Sequence, residues 1–141
     1  MHHTAADHDI DWYVQYQIDG DPERDPPGHY GYHFYIAPNG RIVQGAPLTK
    51  RTNHVSPAAS VRYEFGRAAQ NTNAIGVCCV GAWNGGGFNP TKKQTSEATT
   101  LIFALADVYS IPFNNVFGHG ELQSNRHREE GTSIARTVRD W

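Results

Sequence analysis

The stretch AIGVCCVGAW, residues 74–83, decides how this chain folds. It is short, rich in β-branched residues and apolar at odd and even positions alike, which is the pattern of a strand covered on both faces. Such a strand lies at the centre of a sheet, and the glycine-rich NGGGFNP that follows ends it in a loop. Next comes PTKKQTSEATTLIFALADVYSIP, residues 90–112, where Ala98, Leu101, Ile102, Leu105, Ala106 and Tyr109 recur at steps of three and four. That spacing predicts a long helix, opened by Pro90 or Thr91 and closed by Pro112. A further short strand is expected at Val116–Gly118, delivering His119 at its end. Strand, helix and strand form a crossover unit, so the two strands are expected to run parallel in one sheet.

Upstream, HYGYHFYIAPNGRIVQG, residues 29–45, reads as a hairpin. Tyr30, Tyr32, Phe34 and Ile36 alternate with Gly31, His33 and Tyr35, Asn39-Gly40 supplies the turn, and Ile42 and Val43 resume a strand. Residues 7–18 are ambiguous between the two periods: Ile10, Tyr13, Val14 and Ile18 fit a helix, whereas Trp12, Val14, Tyr16 and Ile18 fit a strand, and the helix is preferred. At the other end Ile134, Val138 and Trp141 stand at helical spacing behind a Thr132-Ser133 cap, predicting a last helix packed on the sheet. The segments around DGDPERDPPG and TKRTNHVSPAAS read as loops. The expected fold class is α/β, a mixed central sheet flanked by helices, in a single domain over residues 1–141.

Composition narrows the partners. The 141 residues are 38% hydrophobic and 18% charged with a net charge of -2, so no global basic field favours nucleic acid. No stretch approaches the roughly 18 apolar residues that cross a bilayer, and the start lacks a basic-then-apolar leader pattern. No membrane partner is therefore expected. The two cysteines, Cys78 and Cys79, are neighbours and read as small buried hydrophobes, not as a disulfide or nucleophiles.

Histidine is the unusual residue, at eight copies. His2 and His3 open the chain in MHHTA and His119 follows VFG. If the first residues form a strand beside Val116–Gly118, these histidines converge at one sheet edge, where open α/β folds bind ligands. The loop HGELQSNRHREEG adds Glu121, His127, Glu129 and Glu130 as possible further donors, and zinc takes nitrogen or carboxylate oxygen. A solvated charged loop is the plainer reading of NRHREE.

The ordered set HHTA, GYHFYIAPNGRIVQG, NHV, AIGVCCVG, PTKKQ and IPFNNVFGHGE resembles the zinc-dependent N-acetylmuramoyl-L-alanine amidases, which include phage lysozyme-type amidases and peptidoglycan recognition proteins. The match runs in register across nearly the whole chain. The resemblance implies zinc bound by His2 and His119, a sheet flanked by helices, and hydrolysis of the amide between N-acetylmuramic acid and L-alanine in peptidoglycan. It places the Tyr32 hydroxyl near the zinc and matches His54 to a family histidine near the cleft that is not a ligand, for which substrate contact and a loop role are equally open. One branch of the family has a glutamate base where Cys78 stands, so this chain resembles the tyrosine-using branch. Relatives place the third ligand eight or ten residues beyond the second histidine, which here gives His127, preferred for its nitrogen, or Glu129 as the alternative. With Glu129 as ligand, His127 falls where relatives have an oxyanion-assisting residue; with His127 as ligand, Asn125 does.

Relatives also carry a full strand before the first histidine, whereas only Met1 precedes His2, leaving as expectations a first strand built from very little, a trimmed domain or an early start. His8 and His29 are assigned to the surface. The implied biology is a monomeric phage or prophage endolysin, held in the host cytoplasm before release and acting on the wall or periplasm. The alternative is a recognition module that binds peptidoglycan without cutting it.

Overall fold

The computed structural model describes residues 1–3, 9–20, 30–55, 71–82 and 87–141, with His2 and His3 described by their backbone. Four strands form one sheet: β1 (His2–His3), β2 (Phe34–Ile36), β3 (Ile42–Gln44) and β4 (Val77–Cys79), in the order β1-β4-β2-β3. β4 runs parallel to both neighbours, pairing His2 with Cys78 on one side and Tyr35 with Cys78 on the other, while β3 closes an antiparallel hairpin with β2. The sheet is mixed, as expected.

The apolar run at 74–83 is central because both its faces are covered. Val77 and Cys79 join Ile36, Ala98, Ile102, Ile134 and Val138 in one buried cluster. Cys78 and Val80 point the other way, into a second cluster with Ile10, Tyr35 and Ala37. Successive strand residues alternate faces, so a run apolar at every position fills two cores at once.

The first cluster is covered by α2 (Lys92–Tyr109), the helix expected from its three- and four-residue spacing. Thr91, not Pro90, caps it: the Thr91 hydroxyl accepts from the Gln94 amide at 3.1 Å, and Gln94 Oε1 accepts from Thr91 N–H at 3.0 Å. The same Gln94 side chain donates to the Ile36 and Val80 carbonyls at 2.9 and 2.8 Å, tying the start of α2 to the ends of β2 and β4. The helix stops ahead of Pro112, where Ser110 turns left-handed.

The second cluster is covered by α1 (Ile10–Asp19), which resolves the ambiguous segment as a helix capped by the Asp9 carboxylate. Its buried Gln17 accepts from the Gly31 N–H and the Tyr35 hydroxyl at 2.7 and 2.8 Å, an internal polar anchor that a strand would not supply.

Three expectations change in detail. Val116–Gly118 is extended but is not a sheet strand; it touches the edge through Met1, whose nitrogen donates to the Phe117 carbonyl at 2.7 Å and whose carbonyl accepts from His119 N–H at 2.9 Å. The last helix, α4, spans Thr132–Arg139 after the short α3 (His119–Leu122), and its cap is Gly131, not Thr132-Ser133. Gly131 has φ +74°, and a Cβ there would lie 2.4 Å from the Met1 carbonyl oxygen, so backbone geometry overrides side-chain capping. Trp141 is 85% exposed, touching Phe103 edge-on, and lies outside the core that Ile134 and Val138 enter.

Candidate metal centre

His119 owes its position to a set of local locks. The chain leaves α2, passes the short turn at Phe113–Asn115 and runs extended to Gly118, which caps α3. Glu121, in the first turn of α3, accepts from Gly118 N–H at 2.8 Å and takes both arms of Arg139 at 2.6 and 2.9 Å. Burial alone would raise the Glu121 carboxyl, but Arg139 and the Gly118 amide outweigh it and hold it below the usual carboxylate range. Arg139 also donates to the Val116 carbonyl, so one side chain from α4 secures the whole segment that carries His119.

The loop beyond α3 then folds back over His119. Gly120 N–H donates to the Glu130 carbonyl at 3.0 Å, and Glu130 N–H to the His127 carbonyl at 2.9 Å. A Cβ at Gly120 would stand 2.1 Å from the His127 oxygen, so the return path needs glycine there. This path presents the Glu130 carboxylate to His119: Nδ1 and Oε1 are 3.0 Å apart, and both residues are 2% exposed. The other ring nitrogen, Nε2, contacts the Oε1 atom of Gln123, four residues on.

Tyr32 is half-buried, packs edge-on against Tyr35 and borders the Cys78 cluster. Burial pushes its hydroxyl well above the usual tyrosine value, with the Cys78 and Glu130 charges adding to the rise and Arg126 opposing it. Tyr32 and His119 therefore share Glu130 as an electrostatic neighbour. Cys78 and Cys79 are free and buried; burial lifts both thiols, Cys79 to about 12, which disqualifies them as thiolates at neutral pH.

The other expected residues are dispersed. His54 is 4% exposed, and its Nε2 donates to the Ala74 carbonyl at 3.2 Å. Burial, aided by the Met1 amino group, lowers its pKa to about 3 and keeps it neutral. It borders a cavity of about 350 Å³ shared with Met1, Val77, Phe117 and Leu122. His127 and Glu129 are exposed, with Glu129 N–H donating to His127 Nδ1 at 3.3 Å. The backbone of His2 pairs with Cys78 in β1; the side chain of His2, and all of His8 and His29, lie outside the described residues. Among the described residues no group of three or more His, Cys, Asp or Glu side chains is placed to hold a metal.

Sequence reasoning named Glu130 only as one of four possible donors in its loop, and did not name Gln123. Gln123 carries a usable signal, its helical spacing from His119 in a segment that proves to be α3. Nothing in the sequence separates Glu130 from the adjacent Glu129, because the loop path that buries one and exposes the other has no periodicity.

The sequence model of a family described as N-acetylmuramoyl-L-alanine amidase matches residues 1–132. No curated protein sequence matches the chain. Among solved structures, the fold is similar to the N-acetylmuramoyl-L-alanine amidase LysC from Clostridium intestinale URNW, with a TM-score of 0.56 and 22% identity, over 79% of this chain and 62% of that one. It is also similar to a selenomethionine derivative of AmpD, with a TM-score of 0.67 and 24% identity, over 97% of this chain and 80% of the other. The chain thus spans about three fifths of the clostridial protein's length, and at these identities the likeness shows the fold.

Proposed function

Because the chain belongs to the N-acetylmuramoyl-L-alanine amidase family, we propose that it hydrolyses the amide between N-acetylmuramic acid and L-alanine in peptidoglycan as a zinc-dependent enzyme. The observation that carries this reading is the extent of the family match, which spans residues 1–132 and so encloses His2, Tyr32 and His119. The described donors suit zinc: a buried imidazole and a buried carboxylate meet at 3.0 Å, a nitrogen and oxygen set of the kind zinc takes.

His2 and His119 would hold the ion, with a third donor from the 127–130 loop, His127 or its alternative Glu129 by the family spacing. A zinc ion there supplies Lewis acidity and lowers the pKa of water to about 7. The chain's own residues do the rest. Tyr32, kept protonated by burial, donates its hydroxyl proton in a hydrogen bond to the amide oxygen as that atom gains negative charge. If Glu129 serves as ligand, a protonated His127 takes the same part. Arg139 and Glu121 keep the His119 segment fixed, so little reorganisation accompanies the reaction. His54 contacts substrate.

The biological setting we propose is a phage or prophage endolysin acting as a monomer on the wall, without nucleic-acid or membrane partners. No helix among the described residues is long and apolar enough to cross a membrane. The test is digestion of purified peptidoglycan with parallel metal analysis of the wild type and His119→Ala. Release of peptides free of muramic acid by a zinc-loaded wild type, with loss of both metal and release in His119→Ala, is the expected result. Wall binding without cleavage by zinc-loaded protein would replace the enzyme with a recognition module.

A further inference from the structure

We propose that Gln17, buried in the last turn of α1, is a positioning residue for Tyr32: its side-chain amide fixes both the backbone that carries the tyrosine and the ring against which the tyrosine packs. The inference rests on the reading above, in which the Tyr32 hydroxyl serves the amide oxygen of the substrate, and adds the part of the chain that aims it.

The hydrogen bonds of one oxygen are the first ground. Gln17 is 2% exposed, and its Oε1 accepts from Gly31 N–H at 2.7 Å, from Tyr32 N–H at 3.2 Å and from the Tyr35 hydroxyl at 2.8 Å. Its Nε2 donates to the Gly45 carbonyl, just past β3, at 3.2 Å. An amide suits this demand, because it sets an accepting oxygen beside a donating nitrogen without a charge. Three of these bonds end on Gly31, Tyr32 and Tyr35, the segment that presents Tyr32. Tyr32 stands ahead of β2, and the acceptor its N–H meets is this side chain of α1, not a neighbouring strand.

The ring is held from the same point. Tyr32 packs edge-on against Tyr35 with centroids 5.5 Å apart, and Tyr35 is stacked on Tyr13 of α1. The Tyr35 hydroxyl bond to Gln17 fixes that platform at its far end. Gly45 closes so tightly on the pair that a Cβ there would lie 2.6 Å from Gln17 Nε2 and 2.7 Å from the Tyr35 ring. A displacement of about 1 Å at a reacting group can cost about a hundredfold in rate, so a hydroxyl aimed by such a device is sensitive to its loss.

The test is the kinetics of peptide release from a soluble muramoyl peptide by the zinc-loaded full chain, in wild type, Gln17→Met, Gln17→Asn and Gln17→Glu, each alone and combined with Tyr32→Phe. Methionine fills the space without hydrogen bonds, asparagine withdraws the amide by one methylene, and glutamate keeps an acceptor oxygen in place. We expect Gln17→Met and Gln17→Asn to lower kcat about tenfold or more at unchanged KM and zinc content, and Gln17→Glu to retain most of it. In the Tyr32→Phe background the same substitutions should change kcat less than about twofold, since nothing is left to position. Amide hydrogen exchange at Gly31 and Tyr32, which does not depend on activity, should quicken in Gln17→Met and stay slow in Gln17→Glu. An unchanged kcat in folded Gln17→Met, or an equal loss with and without the Tyr32 hydroxyl, would reduce Gln17 to an anchor of α1 and overturn the assignment. Should Gln17→Met fail to fold, the Gln17→Asn pair decides by the same comparison. Undiminished release by Tyr32→Phe alone would instead bring down the role of Tyr32, and the assignment of Gln17 with it.

Discussion

His33 and His119 are both 2% exposed, yet their surroundings ask different things of the ring. His33 is held by the backbone: Nε2 lies 2.9 Å from the Lys50 carbonyl, and Nδ1 accepts the Gly76 N–H at 3.0 Å. One partner accepts and the other donates, so the ring is satisfied as a single neutral tautomer, and burial lowers its pKa. His119 has side-chain oxygens at both nitrogens, one of them a carboxylate. The first arrangement closes a loop onto the sheet, whereas the second sets a buried carboxylate against the ring. Burial alone does not distinguish the two histidines; the donor or acceptor character of their partners does.

That contrast is open to attack from the His33 side first. His33→Ala removes the partner of a buried N–H and a buried carbonyl, each worth about 1–3 kcal/mol when left unpaired. A loss of about 3 kcal/mol in urea unfolding is expected, with zinc stoichiometry unchanged. Loss of metal in this variant would erase the distinction.

The neighbouring residue sharpens it. Tyr32 feels the Glu130 charge and is the oxyanion donor of the proposed reaction, so on that proposal Tyr32→Phe should lower peptide release about a hundredfold, as removal of one oxyanion donor does, at full zinc content. Undiminished release would make Tyr32 a core aromatic packed on Tyr35.

The smallest effect is on the pH dependence of stability. His54, with a pKa near 3 when folded, is neutral in the native state and takes up a proton on unfolding below about pH 6.5. Its folded pKa is the lower one, so stability is fully present above pH 6.5 and declines as pH falls toward 3; His33 acts in the same direction. Urea titrations at stepped pH should show this slope, and His54→Gln should make it shallower between pH 6.5 and 4. An unaltered slope would mean that His54 is hydrated in solution.

Much of the framework is written in local pattern. The apolar run at 74–83, the spacing of Ala98, Ile102 and Ala106 and the Asn39-Gly40 turn anticipate β4, α2 and the hairpin, since periodicity and turn chemistry act over a few residues. Where local signals compete, the sequence is less informative. Thr132-Ser133 looks like a cap, but the close approach of Met1 requires glycine at 131, and the cap moves there. Trp141 has helical spacing from Ile134, but α4 ends at Arg139 and leaves Trp141 outside the core.

The sequence by itself determined a mixed α/β sheet with a central strand buried on both faces, and through its ordered motifs the family. Only the tertiary structure decided which acidic residue faces His119. Glu121, Glu129 and Glu130 are chemically equivalent in the one-dimensional text, yet Glu121 is taken by Arg139, Glu129 is exposed and Glu130 reaches the imidazole across eleven residues. The reason is the path of the backbone over Gly120 and Gly131, set by contacts with the returning loop and with Met1 that no local pattern encodes.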